Sequence, residues 1–292
     1  MSQAKVIVKA DSISSFSGKR CTTFLLENFP YRLIQEPSTH RLIKWGSTYQ
    51  TLLTDTNPFT EFVSRNSAST RAIPVQKVID NILKDPYIPT FTRNQPGMQG
   101  EANLSQNEVL EIQNLYISSM HTQLNYALWL SQKGAHKQEV NGIIAPYMRI
   151  PILCTATEWD NFFELRDHPY AHPDLQSFAS EMRKLYDSNI PNILNVGEYH
   201  LPFYSDDLKD YSLVNVLKIC TARNARLSYN KFDGTSNPED DIKLYSKLFD
   251  KPLHGSPFEH NLKVTDTDNQ YGNFTGGWLS LRKIIELDYD YV

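Results

Sequence analysis

The chain alternates between short β-branched and aromatic runs and longer stretches of helical period. The segment "KRCTTFLLENFPYRLI" is apolar and β-branched as far as Pro30, and predicts a strand that runs into a turn. In "PVQKVIDNIL", Pro74 stands at a first helical position, with Val75, Val78, Ile79 and Ile82 at helical spacing behind it. "SQNEVLEIQNLYISSMHTQLNYALWLSQKG" opens with a capping box, Ser105 and Glu108, and stops at Gly134, which predicts a long amphipathic helix. "TATEWDNFFELR", "PDLQSFASEMRKLYDS", "DYSLVNVLKICTARNARLSY" and "NPEDDIKLYSKLF" predict four more helices, the last capped by Asn237. "KDPYIPTFTRNQPGMQG" carries three prolines and two glycines and predicts a loop. Residues 44 to 61 are Thr-rich and predict a surface excursion. The expected class is α+β, mostly helical, with a small central antiparallel sheet and one domain over 1–292.

Composition narrows the class little further. The chain has 292 residues, 40% apolar and 21% charged, as in ordinary globular proteins. A net charge of −4 gives no electrostatic case for nucleic acid or an anionic membrane. Cys21, Cys154 and Cys220 stand apart, without CxxC spacing, which suggests a reducing, cytoplasmic setting. The first residues lack an apolar run of signal length, and no segment reaches the ~20 apolar residues that span a bilayer. The sequence has no GxGxxG, P-loop, HExxH, Cys/His metal spacing or Gly-x-Ser-x-Gly elbow.

Four stretches carry candidate chemistry. "SRNSASTRAIP" packs two arginines among short hydroxyls, a pattern suited either to a solvated loop or to a phosphorylated ligand, since Arg binds phosphate bidentately. "HGSPFEH" offers Ser256 and Glu259; alone it reads as a helix cap followed by a first-turn Glu. "TARNARLSY" places Arg223 and Arg226 on one helix face, which alone reads as solvated. "EWDNFFELRDHPYAH" places Asn161, Leu165 and Arg166 along a helix that Trp159, Phe162 and Phe163 would anchor in a core, with His168 and His172 behind it.

Taken together these stretches resemble the flavin-dependent thymidylate synthases. That family's signature reads Arg-His-Arg-x-x-Ser-x-Asn-Glu-x-Ser-x-Arg-Tyr. "THRLI" supplies His40 and Arg41, and Ser64, Asn66, Ser69 and Arg71 follow the 44–61 insertion at the family's spacing. "PFEH" stands at Pro257 to His260, "ARLS" at Ala225 to Ser228, and the late "NFFELR" at Asn161 to Arg166. The order is rotated: "ARLS" and "PFEH" come last here, so the chain resembles a circularly permuted, phage-type member. "NQPGMQ", "HKQ", "TATEW", "GEYHLP" and "GNFTGGWLSLRK" match that group too. Termini at exposed, adjacent positions can be rejoined without altering a core, so permutation is physically reasonable.

The resemblance implies FAD as cofactor, NADPH as hydride source, methylenetetrahydrofolate as one-carbon donor, and dUMP converted to dTMP. It implies that Ser69, Thr70 and Arg71 hold the substrate phosphate and that Arg166 contacts the pyrimidine and takes the catalytic role. His40, Arg41, Asn66, Asn161, Leu165, Ser228, Ser256 and Glu259 match flavin contacts. It also implies a homo-oligomer, most simply a tetramer, in the cytoplasm (the host's, if phage-encoded). The departures are Ser67 for the signature's Glu, Ala72 for its Tyr, Thr39 for its first Arg, Thr155 and Thr157 for an Asn and an Arg, and Gly142 for an Arg. They leave open two alternatives: hydroxymethylation of a pyrimidine nucleotide, and a catalytically silent nucleotide- or flavin-binding relative.

Overall fold

The computed structural model describes residues 4–34, 64–67, 73–94, 103–227, 237–250, 253–268 and 274–287. Its strands are β1 (Val6–Ser14), β2 (Arg20–Pro30), β3 (Ser64–Ser67), β4 (Arg149–Ala156), β5 (Asn192–Leu194), β6 (Tyr199–His200), β7 (Leu262–Val264) and β8 (Trp278–Ser280). Its helices are α1 (Val75–Lys84), α2 (Gln106–Gln132), α3 (Lys137–Ile144), α4 (Asp160–Arg166), α5 (Pro173–Ser188), α6 (Leu213–Arg226), α7 (Pro238–Phe249) and α8 (Leu281–Glu286). This is the expected α+β class.

The main sheet runs β3-β4-β2-β1-β5, antiparallel except for the parallel β1–β5 pair, and a smaller antiparallel sheet runs β6-β7-β8. β2 is central and buried on both sides because both faces of the sheet are covered. Alternation sends Phe24 and Leu26 to one face, where Ile152 and Cys154 of β4 join them. Helices α1 to α5 cover that face with Val78, Ile82, Met120, Val140, Phe162 and Phe178, making the main core. Cys21, Thr23 and Leu25 turn to the opposite face. There Leu25 and Leu153 meet Leu227 beyond α6, and Cys21 meets Leu262, Val264 and Trp278 of the smaller sheet.

Several local expectations hold. Val75, Val78, Ile79 and Ile82 are buried on α1, although Pro74 is the cap residue rather than the first helical one. Ser105 and Glu108 form both halves of a capping box on α2. Asn237 caps α7 by accepting from the Glu239 N–H.

Three expectations need correction. "TAT" is not helical: Thr155 and Ala156 end β4, and the helix starts at Asp160. α2 is not cleanly amphipathic. It buries only Met120, Leu124 and Ala127, and leaves Leu110, Leu115, Tyr126 and Trp129 exposed. Strands β1, β3 and β4 did not stand out: β3 is four polar residues, β1 mixes Lys9, Asp11 and serines into its apolar run, and β4, covered on both faces, lacks polar alternation. The excursion at 44–61 lies outside the described residues.

Candidate functional site

β3 places Asn66 opposite Leu153, buried under α6 and the 3-10 turn Ser256–His260. Asn66 Nδ2 donates to the Asn224 carbonyl at 2.7 Å, and the Ser256 hydroxyl donates to Asn66 Oδ1 at 3.4 Å. Asn224, wholly buried in α6, donates its Nδ2 to the Pro257 carbonyl (2.9 Å) and to Asn261 Oδ1 (3.2 Å). Asn261 Nδ2 in turn donates to the Thr221 hydroxyl at 2.8 Å. Three segments far apart in the chain are thus joined by amides into one junction. Amides supply both donors and acceptors, so they can satisfy buried backbone groups where no ladder is available.

Ser256 is not a helix cap. The turn starts after Gly255 without a side-chain cap bond, which frees the hydroxyl to reach Asn66. Glu259 pairs with Arg282 Nη1 at 2.7 Å, and Arg282 Nε also binds Glu286 at 2.8 Å. The turn passes so close that a Cβ on Gly255 would sit 2.9 Å from Arg282 Nε. These partners hold the Arg282 guanidinium more firmly charged, against its burial.

Arg223 and Arg226 are neither a solvated face nor a ligand pair. Both turn to the buried Asp241 carboxylate of α7, with Nε to oxygen distances of 3.3 and 2.5 Å. Arg223 also donates to the Phe203 carbonyl and the Ser205 hydroxyl.

The other candidate set lies elsewhere. Asn161, Leu165 and Arg166 are on α4, which Trp159, Phe162 and Phe163 fix in the main core on the opposite face of the sheet. Leu165 is 49% exposed. His172 caps α5 and His168 accepts from the Tyr170 N–H, so both are structural. The connection from β4 to α4 is tied to the smaller sheet's side of the fold, because the Thr157 and Thr275 hydroxyls meet at 3.1 Å and Thr275 donates to Glu158. The structure therefore brings Asn66, Ser256 and Glu259 together around one turn and places Asn161, Leu165 and Arg166 across the sheet from them. His40, Arg41, Ser69, Thr70, Arg71 and Ser228 lie outside the described residues.

Behind the amide junction is a buried polar chain that sequence reasoning missed. His200 Nδ1 lies 3.0 Å from Ser12 Oγ, and its Nε2 lies 2.8 Å from Thr23 Oγ1. Thr23 and Thr155 are paired in register across β2 and β4, with their hydroxyls 2.8 Å apart. Thr155 Oγ1 then lies 2.8 Å from His260 Nδ1. Among the described residues, His260 Nε2 and Asn224 Oδ1 are buried without a hydrogen-bond partner. Burial pushes His200 down to about 4, against a small opposing pull from Asp11, and pushes His260 down to about 3, helped by His200. Both imidazoles are neutral at pH 7. The sequence signal was "GEYHLP" and "PFEH", each placing a histidine beside an aromatic residue and a glutamate.

No cysteine is suited to nucleophilic work. All three are buried; desolvation raises the Cys21 thiol well above its ordinary value and pushes Cys220 up to about 12. Among the described residues no cluster of His, Cys, Asp and Glu could hold a metal ion, and no helix is long and apolar enough to cross a membrane.

No protein-family model matches the chain, and no curated protein matches it. Among solved structures, the chain is similar to a UMP/dUMP methylase, PolB from Streptomyces cacaoi bound with 5-Br UMP. The TM-score is 0.43 and the identity 13%, over 64% of this chain and 89% of that one. A likeness that low decides neither ancestry nor activity.

Proposed function

We propose that the chain is an FAD-dependent enzyme that methylates dUMP to dTMP, using methylenetetrahydrofolate and NADPH. One observation carries this reading beyond the sequence resemblance. The signature segment, through Asn66, the "ARLS" helix, through Asn224, and the "PFEH" turn, through Ser256 and Pro257, converge on one buried junction. Motifs scattered by chance along a permuted chain have no reason to meet.

The donor set fits a flavin nucleotide. A serine hydroxyl, an ion-paired carboxylate and guanidinium and, among the described residues, two buried polar atoms without a partner (His260 Nε2 and Asn224 Oδ1) lie at or beside one turn. Bound FAD supplies the hydride chemistry, which no side chain provides. Ser256 and Glu259 hold cofactor hydroxyls, while Asn66 fixes the turn that carries them. Ser69, the Thr70 backbone and Arg71 hold the dUMP phosphate. Arg166 donates to a pyrimidine carbonyl and favours negative charge on the ring.

Arg166 and Asn161 on α4 lie across the sheet from Ser256, so one chain does not gather the whole set. We assign the completed site to a contact between copies, in a homotetramer. The exposed Leu115, Tyr126 and Trp129 of α2 offer apolar surface for such assembly.

One observation favours a second reading, hydroxymethylation. Gly142 replaces an arginine that helps hold nucleotide in the resembled family, and a Cβ there meets no atom within 4 Å. The backbone there leaves room for a Cβ, so a side chain was not excluded at its root, and its loss points to altered handling of the nucleotide. Incubation with FAD, NADPH, methylenetetrahydrofolate and either dUMP or dCMP, with products weighed by mass spectrometry, separates the readings. dTMP from dUMP supports the first, a hydroxymethyl nucleotide the second, and no product with either substrate rejects both.

A further inference from the structure

The polar chain from Ser12 to His260 has a property that its members lack singly. Each hydroxyl carries one proton, and each neutral imidazole carries one on either nitrogen. Four contacts, at 3.0, 2.8, 2.8 and 2.8 Å, must each hold one proton. With Thr23 and Thr155 both donating along the chain, two in-line orders achieve this. In the first, Ser12 donates to His200 Nδ1, His200 Nε2–H to Thr23, Thr23 to Thr155, and Thr155 to His260 Nδ1. His260 then carries its proton on Nε2. In the second, every bond reverses: His260 Nδ1–H donates to Thr155, Thr155 to Thr23, Thr23 to His200 Nε2, and His200 Nδ1–H to Ser12. His260 Nε2 is then a bare lone pair. Both orders give the two histidines the same tautomer.

We propose that Ser12, His200, Thr23 and Thr155 are positioning residues that act through His260. They form one hydrogen-bonded chain that fixes whether His260 Nε2 offers a proton or a lone pair to a heterocyclic ligand at the β3–α6 junction. A carbonyl oxygen of that ligand selects the first order, and an imide N–H selects the second. The chain fits this role because it is sealed from water. Ser12, Thr23, Thr155, His200 and His260 are each no more than 4% exposed, so no solvent molecule competes for a bond and a change at one end must pass along. It also ends, at His260 Nε2, on a buried atom with no partner among the described residues, where native proteins rarely leave one. The ligand half of the proposal rests on the nucleotide and flavin reading; the coupling of the two tautomers does not.

Nitrogen-15 NMR of histidine-labelled protein at pH 7 tests it, with the signals assigned through His200→Gln and His260→Gln. Without ligand, His200 and His260 share one tautomer; opposite tautomers in the wild-type protein overturn the proposal. Ser12→Ala, a small change at the far end, leaves His200 Nδ1 without a partner. With Ser12 present the second order leaves no N–H unpartnered and is preferred, because an unpartnered lone pair costs less than an unpartnered N–H. Without Ser12 each order leaves one bare lone pair and one unpartnered N–H, so the balance moves toward the proton on Nε2 at both histidines together. Thr23→Val cuts the chain while keeping its volume. His200 then carries its proton on Nδ1, toward Ser12, and no longer passes its state to His260, so adding Ser12→Ala to Thr23→Val moves the His200 tautomer alone. Thr23→Ser restores the joint response. A change of tautomer at His200 without one at His260 in Ser12→Ala, or a response of His260 to Ser12→Ala in the Thr23→Val protein equal to that in the wild type, overturns the coupling. Added FAD and dUMP move the ring signals of both histidines together in the wild-type protein; movement of His260 alone overturns it. Absence of binding by either compound fails the nucleotide reading and leaves the ligand-free results standing.

Discussion

Asn66 and Asn224, separated by 158 positions, are joined by a 2.7 Å hydrogen bond from the Asn66 Nδ2 to the Asn224 carbonyl. The bond ties a four-residue edge strand to a helix on the face of the sheet opposite the main core. It also positions the acceptor for Ser256, so the geometry of the 3-10 turn depends on it.

Replacing Asn66 with Ala strips both bonds and leaves a buried carbonyl unsatisfied. We expect a loss of ~2 kcal/mol of stability, within the ~1–3 kcal/mol of an orphaned buried group. Urea denaturation measures it. A change below ~0.5 kcal/mol means that the junction is not holding β3 to α6.

Asp241 is fully buried between two guanidinium groups, each itself about nine-tenths buried. Asp241→Asn removes the shared counter-charge and is expected to destabilise by ~3 kcal/mol or more. The adjacent, exposed Asp240→Asn stays within ~0.5 kcal/mol. Equal effects at the two positions, measured by thermal melting, would contradict the assignment of Asp241 as the shared anchor.

The two buried histidines make stability depend on pH. Their folded values, about 4 and about 3, lie below the ordinary value of 6.5, so the unfolded chain binds more protons between those limits. Stability is fully present above about pH 6.5 and falls as the pH drops toward 4, by up to ~1.4 kcal/mol per histidine per pH unit. Melting temperatures of the wild-type protein and of His260→Gln across pH 4 to 7 check this. The substitution flattens the acid limb, and parallel curves count against a neutral, buried His260.

FAD at saturating concentration raises the melting temperature of a protein that binds it in the native state. Arg71→Ala is expected to weaken dUMP binding by ~2 kcal/mol through loss of a charge-assisted phosphate contact, and Arg71→Lys to recover part, because an ammonium lacks the planar fork. Calorimetric titration reads both. An unchanged dissociation constant in Arg71→Ala removes the phosphate assignment.

A site completed between copies predicts a tetramer with flavin bound. Light scattering at micromolar protein that returns the mass of one 33.6 kDa chain, with the cofactor present, refutes the shared site.

Local signals were enough for the helices. A capping box at Ser105 and Glu108, an asparagine cap at Asn237 and the apolar stripe on α1 act over a few residues, so sequence alone determined them. The same was true of β2, whose β-branched and aromatic residues before Pro30 predicted a strand running into a turn.

Tertiary structure decided what spans the chain. Arg223 and Arg226 looked solvated because their partner, Asp241, lies on another helix. Thr155 looked helical because its strand role depends on pairing with Thr23, and the histidines at 200 and 260 looked unremarkable until those threonines linked them. Spacing within a segment records the contacts a segment makes with itself. Buried polar groups are instead satisfied by whatever the fold brings within about 3 Å, and that choice is made only when the sheet and its covering layers close together.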